Sequence, residues 1–90
     1  MEKAIVSVLG QDKVGIIASV SGKLAANSIN ILDITQTILQ DVFSMVMLVD
    51  VSNSKLPFET LKQELADLGK ELGMSIRIQH EDIFNSMHRI

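Results

Sequence analysis

INILDITQTILQDVFSMVMLVDV, residues 29–51, is the stretch that decides the fold. Its first part, residues 29–40, is rich in Ile and Thr and alternates apolar with polar side chains, which predicts a long strand. The apolar side chains expected on one face of this strand are Leu32, Ile34 and Ile38. After a tight connection at Asp41, apolar residues alternate again from Phe43 to Val51, which predicts the antiparallel partner. The centre of the chain is therefore expected to form a β-hairpin.

A short strand and a helix are expected before the hairpin. Residues 4–9 are rich in β-branched residues and stop at a turn that begins with Gly10, which predicts a strand. Between Val14 and Ala26, apolar residues recur at helical spacing, which predicts a helix. Asp12 is expected to cap this helix, because a short carboxylate accepts backbone N–H bonds at a helix N-terminus.

A helix and a strand are expected after the hairpin. Pro57 suits the first helical position because its φ is fixed. The apolar residues that follow are spaced three or four apart, as on the buried stripe of a helix: Phe58, Leu61, Leu65, Leu68 and Leu72. Gly73 is expected to supply a left-handed C-cap, after which residues 74–79 alternate as a strand does.

The element order β-α-β-β-α-β predicts the fold class. It is typical of an α+β, ferredoxin-like sandwich, in which two helices cover one face of a four-stranded antiparallel sheet. Right-handed crossovers place the first and third strands at the centre of the sheet, so the long second strand becomes a free edge. We expect residues 1–90 to form a single domain, with residues 83–90 as a short C-terminal tail.

Composition excludes several classes of function. A net charge of -3, a pI near 5.2 and scattered Lys and Arg give no attraction for nucleic acid. The only aromatic residues are Phe43, Phe58 and Phe84, too few to form a platform on which bases stack. There is no cysteine for disulfides or thiolate sites, and no apolar run approaches the ~20 residues of a membrane span. A cytoplasmic protein without a signal peptide is expected.

The loop from Gly10 to Gly15, running into the first helix, carries a resemblance to a known family. Together with Asn30-Ile31 at the start of the second strand, it resembles the signature of ACT domains. Gly10-Gln11-Asp12 and the stretch Ala18-Ser19-Val20-Ser21-Gly22 are most similar to the ACT segments of glycine-cleavage regulators and formyltetrahydrofolate deformylases. The resemblance implies a stand-alone regulatory domain that binds an amino acid or similar metabolite, commonly at an interface of a homodimer or higher homo-oligomer.

The residues expected to bind the ligand are Gln11, Asp12, Lys13, Val14, Gly15, Asn30 and Ile31. A glycine at the mouth of the helix leaves backbone N–H groups open to a carboxylate, which the helix dipole also favours. Asn30 offers donors and an acceptor, and Asp12 suits an ammonium group.

Each of these residues also has a purely structural interpretation. Gly15 is equally suited to close helix packing, Asp12 to a helix cap and Asn30 to a turn. Val14 stands where ACT domains commonly have a proline, and the loop lacks the histidine of serine-binding members, which disfavours serine.

The end of the chain carries candidate metal ligands. His80 and Asp82 share a face and, with His88, are the candidate metal ligands, but such side chains on a polar tail are more often solvated. We therefore predict no metal and no cofactor. The chain has no Cys, no nucleophile elbow and no P-loop, which predicts a protein that is not an enzyme. The alternative is a ligand-free module that joins a protein partner in trans, favoured by Val14 and the apolar tail.

Overall fold

The computed structural model describes residues 1–82, and the tail of residues 83–90 lies outside the described part. The elements are β1 (Lys3–Gln11), α1 (Ile16–Ala26), β2 (Asn30–Leu39), β3 (Val42–Asp50), α2 (Phe58–Leu72) and β4 (Met74–His80). This order confirms the α+β fold expected from the sequence. Within residues 1–82, neither helix is both long and apolar enough to cross a membrane.

The sheet has four antiparallel strands in the order β2-β3-β1-β4. The central position of β1 and β3 and the edge position of β2 are confirmed. β1 and β2 are both antiparallel to β3, so they run in the same direction. The end of β1 therefore lies at the same end of the sheet as the end of β2.

The core lies between the two helices and one face of the sheet. Alternate residues of β1, β3 and β4 are buried there, as the period of two requires. α1 contributes Ile16, Val20 and Leu24, and α2 contributes Leu61 and Leu65. The other face of the sheet carries no helix in the described residues, and Val42 and Val46 are exposed on it.

α2 approaches β4 closely through glycine. A Cβ atom on Gly69 would lie 2.6 Å from the carbonyl oxygen of Met74, well inside van der Waals contact. The helix then ends at Gly73, whose φ of 71° is left-handed and confirms the expected C-cap. The two glycines together let the chain turn sharply from the helix into the adjacent edge strand.

The start of α1 differs from the prediction. The N-cap is Gly15, with a left-handed φ of 87°, and no side chain caps the helix. The expected capping role of Asp12 is wrong, because Lys13 and the turn at Val14 and Gly15 separate it from the first helical turn. Instead the backbone N–H of Asp12 donates to the carbonyl of Asp41 at 2.9 Å, which ties this loop to the β2-β3 turn.

The register of β2 also differs from simple alternation. A bulge between Ile31 and Asp33 takes Leu32 out of the ladder, so the expected face shared by Leu32, Ile34 and Ile38 is wrong for Leu32. Ile34 and Ile38 pair with buried β3 residues and so lie on the helix side of the sheet. Both nevertheless remain exposed, because α1 contacts β2 only sparsely.

Candidate functional site

A cleft opens between the start of α1 and the end of β2. Its volume is about 470 Å³, within the range of small-molecule sites. One wall is the β1-α1 loop with Gly15, and the other is β2 with Gln36 and Ile38. Ile17 of α1 and the buried Phe43 of β3 add apolar surface. The cleft thus joins a helix N-terminus to an apolar wall.

The N-terminus of α1 is open to an anion. A Cβ atom on Gly15 would meet nothing within 4 Å, so the approach to the first helical turn is clear. The first turn contains no acidic residue and has no side-chain cap. Its N–H groups and the positive end of the helix dipole are therefore not compensated by the described residues, which favours a carboxylate or phosphate there.

Lys13 connects the loop to the opposite helix. Its Nζ lies 3.3 Å from the position that a Cβ atom on Gly73 would take, so the ammonium group sits beside the C-terminal cap of α2. A cation is favourable at this negative end of the helix dipole. Lys13 thus lines the cleft and also lies against the C-terminal end of α2.

The structure places the predicted binding residues in two groups. Asp12, Lys13 and Gly15 line the cleft. Gln11, the last residue of β1, and Val14 of the loop are exposed and do not line it. Asn30 and Ile31 lie at the other end of β2.

The strand register shows how far Asn30 and Ile31 lie from the β1-α1 loop. Asn30 pairs with Asp50, and Asp50 belongs to the end of the sheet where β1 begins. Leu39 pairs with Val42 at the end where β1 stops. A strand rises about 3.3 Å per residue, so Asn30 lies roughly 30 Å from the Leu39 end. Within one chain, Asn30 therefore does not meet the loop.

Sequence reasoning missed the second wall of the cleft. Gln36 and Ile38 belong to the end of β2, whereas the resemblance drew attention to its beginning. The predicted topology could have identified this wall. β1 and β2 both flank β3 and run in the same direction, so they end at the same end of the sheet. That rule alone pairs the loop after β1 with the last residues of β2.

His80 is engaged in contacts at the opposite end of the sheet. Its ring stacks on Phe58 with centroids 3.9 Å apart, and its Nδ1 lies 3.7 Å from the carboxylate of Glu2. Within residues 1–82, His80 and Asp82 belong to no group of three or more side chains that could hold a metal. His88, the other candidate, lies outside the described residues.

Comparison with known proteins places the chain in a family. The ACT domain model matches residues 2–79. This chain belongs to the ACT domain family. A UPF0237 protein of Methanocaldococcus jannaschii is 57% identical over 90 residues, which span all of both chains. ACT domains in general are regulatory modules that bind small molecules.

Solved structures share the fold over most of this ACT domain. The ACT domain protein from Streptococcus pneumoniae is 44% identical with a TM-score of 0.81, and the match covers 92% of this chain and 93% of that one. A formyltetrahydrofolate deformylase from Pseudomonas syringae superposes with a TM-score of 0.82 at 21% identity, over 89% of this chain and 28% of the deformylase. A putative glycine cleavage system transcriptional repressor gives 0.74 at 20% identity, over 88% and 45%. At such identities the last two establish the fold alone, and they confirm the expected likeness.

Proposed function

We propose that this ACT domain is a non-catalytic regulatory module that binds an amino acid or similar small metabolite at the interface of a homodimer. One observation carries the proposal. The loop with Asp12 and Gly15 lies beside the end of β2, Asn30 and Ile31 lie at its start, and the outer edge of this strand is not paired within the described sheet. The ligand would stabilise the dimer, because it contacts both subunits. A cytoplasmic location stays a prediction of the sequence.

The β2 edge has the properties of an interface. β2 pairs only with β3, so the backbone groups of its other side have no strand partner within the described sheet. Ile34 is 43% and Ile38 54% exposed, and Ile17 of α1 is exposed beside them. Long edges with exposed apolar side chains are usually covered in folded proteins, since they otherwise lead to aggregation. A second copy of β2 provides such cover.

Two-fold symmetry would reunite the separated residues. If two β2 strands pair antiparallel about an axis near Thr35, the start of one strand lies beside the end of the other. Asn30 and Ile31 of the partner subunit then lie beside the Leu39 end, where the cleft with Asp12 and Gly15 opens, and Ile31, which pairs with the buried Val49, is on the helix side of the sheet. The interface would therefore complete a site that one chain holds only in part.

The cleft matches the chemistry of an amino acid. The open N-terminus of α1 suits the ligand carboxylate, and the exposed carboxylate of Asp12 suits its ammonium group. Ile17, Ile38 and Phe43 offer apolar surface to the side chain. We infer that aliphatic amino acids fit better than serine, in agreement with the loop's lack of a histidine.

A thermal-melt panel of the twenty amino acids tests ligand binding. A ligand at a hundred times its dissociation constant adds roughly 2.7 kcal/mol of stability, which shifts the melting temperature of a domain this small by about 10 °C or more. Gly15→Asp should abolish the shift, because its carboxylate repels that of the ligand. Gly22→Asp controls for an added carboxylate on α1, since Gly22 is exposed with nothing near its Cβ position, and Gly15→Asn controls for a side chain at the left-handed φ of 87° without the charge.

Two results would contradict different parts of the proposal. A panel without any shift, in a protein that is dimeric, rules out amino acids but leaves the interface standing. A protein that stays monomeric at micromolar concentration rules out the interface. A shift that survives Gly15→Asp and disappears in Gly22→Asp places the ligand elsewhere on α1.

A second candidate function is docking to a protein partner in trans. The observation that favours it is Val14, an apolar side chain that is fully exposed at the tip of the β1-α1 loop. Val14→Asn should weaken capture of such a partner while leaving the melting temperature unchanged, because the side chain contributes no burial. A partner captured equally well by both proteins would reject Val14 as the contact.

A further inference from the structure

The other edge of the sheet, formed by β4, borders a groove with an unusual charge. β4 pairs only with β1, so its outer backbone groups have no strand partner within the described sheet. The groove between this edge and α2 has a volume of about 640 Å³. It is lined by Lys62, Lys70 and Arg77, and within residues 1–82 no carboxylate lines it. The protein as a whole has a net charge of -3, so this groove is a local exception.

From Lys62 onward, α2 separates its charges between two flanks, whereas Glu59, one turn earlier, lies on the same flank as Lys62 and Lys70. Lys62 and Lys70 lie on the flank that faces the β4 edge. The acidic residues Glu64, Asp67 and Glu71 lie on the flank that faces α1, where Lys23 pairs with Glu64 at 2.7 Å. The acidic flank is thus partly neutralised within the chain. The basic flank is left for a partner outside the described residues.

Two small residues of α2, Ala66 and Gly69, shape the groove. Ala66 lies between the two lysines and leaves space above the strand. Gly69 lets the helix lie against β4, because any larger residue would meet the Met74 carbonyl. The lysines are therefore held beside a free strand edge, so that one extended segment can contact both at once.

We propose that the β4 edge binds an extended acidic segment of a partner protein, which adds a fifth strand to the sheet and pairs its carboxylates with Lys62 and Lys70. Main-chain hydrogen bonds to an open edge give affinity, and the flanking side chains give specificity. This surface is distinct from the cleft at β2, and the inference does not depend on ligand binding there.

Charge argues against the two occupants that the chain itself offers. Residues 83–90 contain no Asp or Glu and include Arg89, so they do not complement a basic groove. Two β4 strands paired about a two-fold axis near Arg77 would set two Arg77 side chains opposite each other, which is unfavourable. An acidic segment from another protein is the occupant that the groove complements.

The lysine spacing defines the segment further. Lys62 and Lys70 are two helical turns apart, which is about 12 Å along the helix axis. In an extended strand the same distance spans about four residues, which also returns the side chain to the same face. The segment should therefore carry two carboxylates about four positions apart, with small or apolar residues between them.

A synthetic peptide tests the proposal. The probe is a short peptide of alternating valine and threonine with two glutamates about four positions apart, and its control has glutamine in place of both glutamates. Binding by isothermal titration should weaken at least about tenfold with the glutamine peptide and with the Lys62→Gln/Lys70→Gln variant. Lys55→Gln, a change at an exposed lysine outside the groove, should leave the affinity unchanged.

Amide NMR locates the bound peptide. The amide signals of β4 should shift on binding, while those of β2 should not. Failure to bind at about 1 mM peptide, equal binding of both peptides, or shifts confined to β2 would each overturn the proposal. Peptide binding should also be independent of protein concentration. If it is lost when the protein is diluted until a dimer dissociates, the groove belongs to an interface between two copies and the proposal is overturned.

Discussion

At the residue scale, the hydrogen bonds of Ser52 control the pKa of Asp50. The Oγ of Ser52 donates to the Asp50 carboxylate at 2.6 Å, and the backbone N–H of Ser52 donates to the same oxygen at 2.9 Å. These bonds favour the charged form and lower the pKa of Asp50 below its ordinary value of 3.8. Ser52 also accepts a bond from the backbone N–H of Glu2, so the end of β3 is joined to the start of β1.

Ser52→Ala should raise the pKa of Asp50 toward 3.8, because the stronger of the two bonds, that from the hydroxyl, is lost. In the native protein the lowered pKa adds stability that is present above pH 3.8 and is lost as the pH falls through the folded pKa. Stability should therefore fall less steeply in acid in the variant. Titration of the Asp50 carboxyl carbon by NMR measures the shift directly.

The control for this titration is Ser54→Ala. Ser54 makes its side-chain bonds to the backbone of Leu56 and none to Asp50 among the described residues. Its removal should leave the pKa of Asp50 unchanged. An equal rise in both variants would show that the turn as a whole, rather than the Ser52 hydroxyl, holds the carboxylate in its charged form.

At the scale of the elements, the contact between α2 and β4 depends on one glycine. Gly69→Ala introduces a methyl group 2.6 Å from the backbone of Met74, which cannot move without breaking the strand. Overpacking costs roughly 1–3 kcal/mol, and the better helix propensity of alanine offsets about 1 kcal/mol of this. We expect a net loss of about 1 kcal/mol in the free energy of unfolding, measured by urea denaturation.

Gly22→Ala is the matched comparison for that loss. Gly22 lies in α1 with nothing within 4 Å of its Cβ position, so only the propensity gain of up to about 1 kcal/mol applies. The two alanines should therefore shift the urea midpoint in opposite directions. Stabilisation by both would mean that α2 can move away from β4 and that their close approach is not constrained.

Strong periodicity made most elements predictable from sequence. The apolar residues of β3 repeat every two positions and those of α2 every three or four. Each pattern marks a single face, so the buried residues can be read from the sequence. The capping of α1 was not predictable in this way, because Asp12 and Gly15 both suit a helix start and only the chain path decides. The β2 bulge likewise leaves no sequence signal, since Leu32 fits the apolar parity without it.

At the scale of the whole molecule, half of the candidate site was predictable. A motif identifies Asp12 and Gly15 because both lie in the one short segment that leads from β1 into α1. It could not place Asn30, because strand direction and register fix that position over the full length of the sheet. If the interface along β2 forms, the motif describes residues that meet between two subunits, which no analysis of one chain's local pattern reveals.

The role of β2 in assembly can be tested by a charge on the edge. Ile34→Lys places an ammonium group where two β2 strands would meet, and lysine is a common means of blocking edge pairing. The dimer dissociation constant should rise at least about tenfold by sedimentation velocity, since one introduced lysine faces another across the axis. Val46→Lys is the matched control, because Val46 is 40% exposed against 43% for Ile34 but lies on the helix-free face.

Assembly and ligand binding should then fail together. Ile34 does not line the cleft, so Ile34→Lys leaves Asp12, Gly15 and the α1 N-terminus in place. It should nevertheless abolish the melting shift that an amino acid produces, because the start of the partner's β2 no longer lies beside the cleft. A monomeric variant that keeps the full shift would show that one chain suffices for binding. Dissociation by Val46→Lys but not by Ile34→Lys would instead place the interface on the helix-free face.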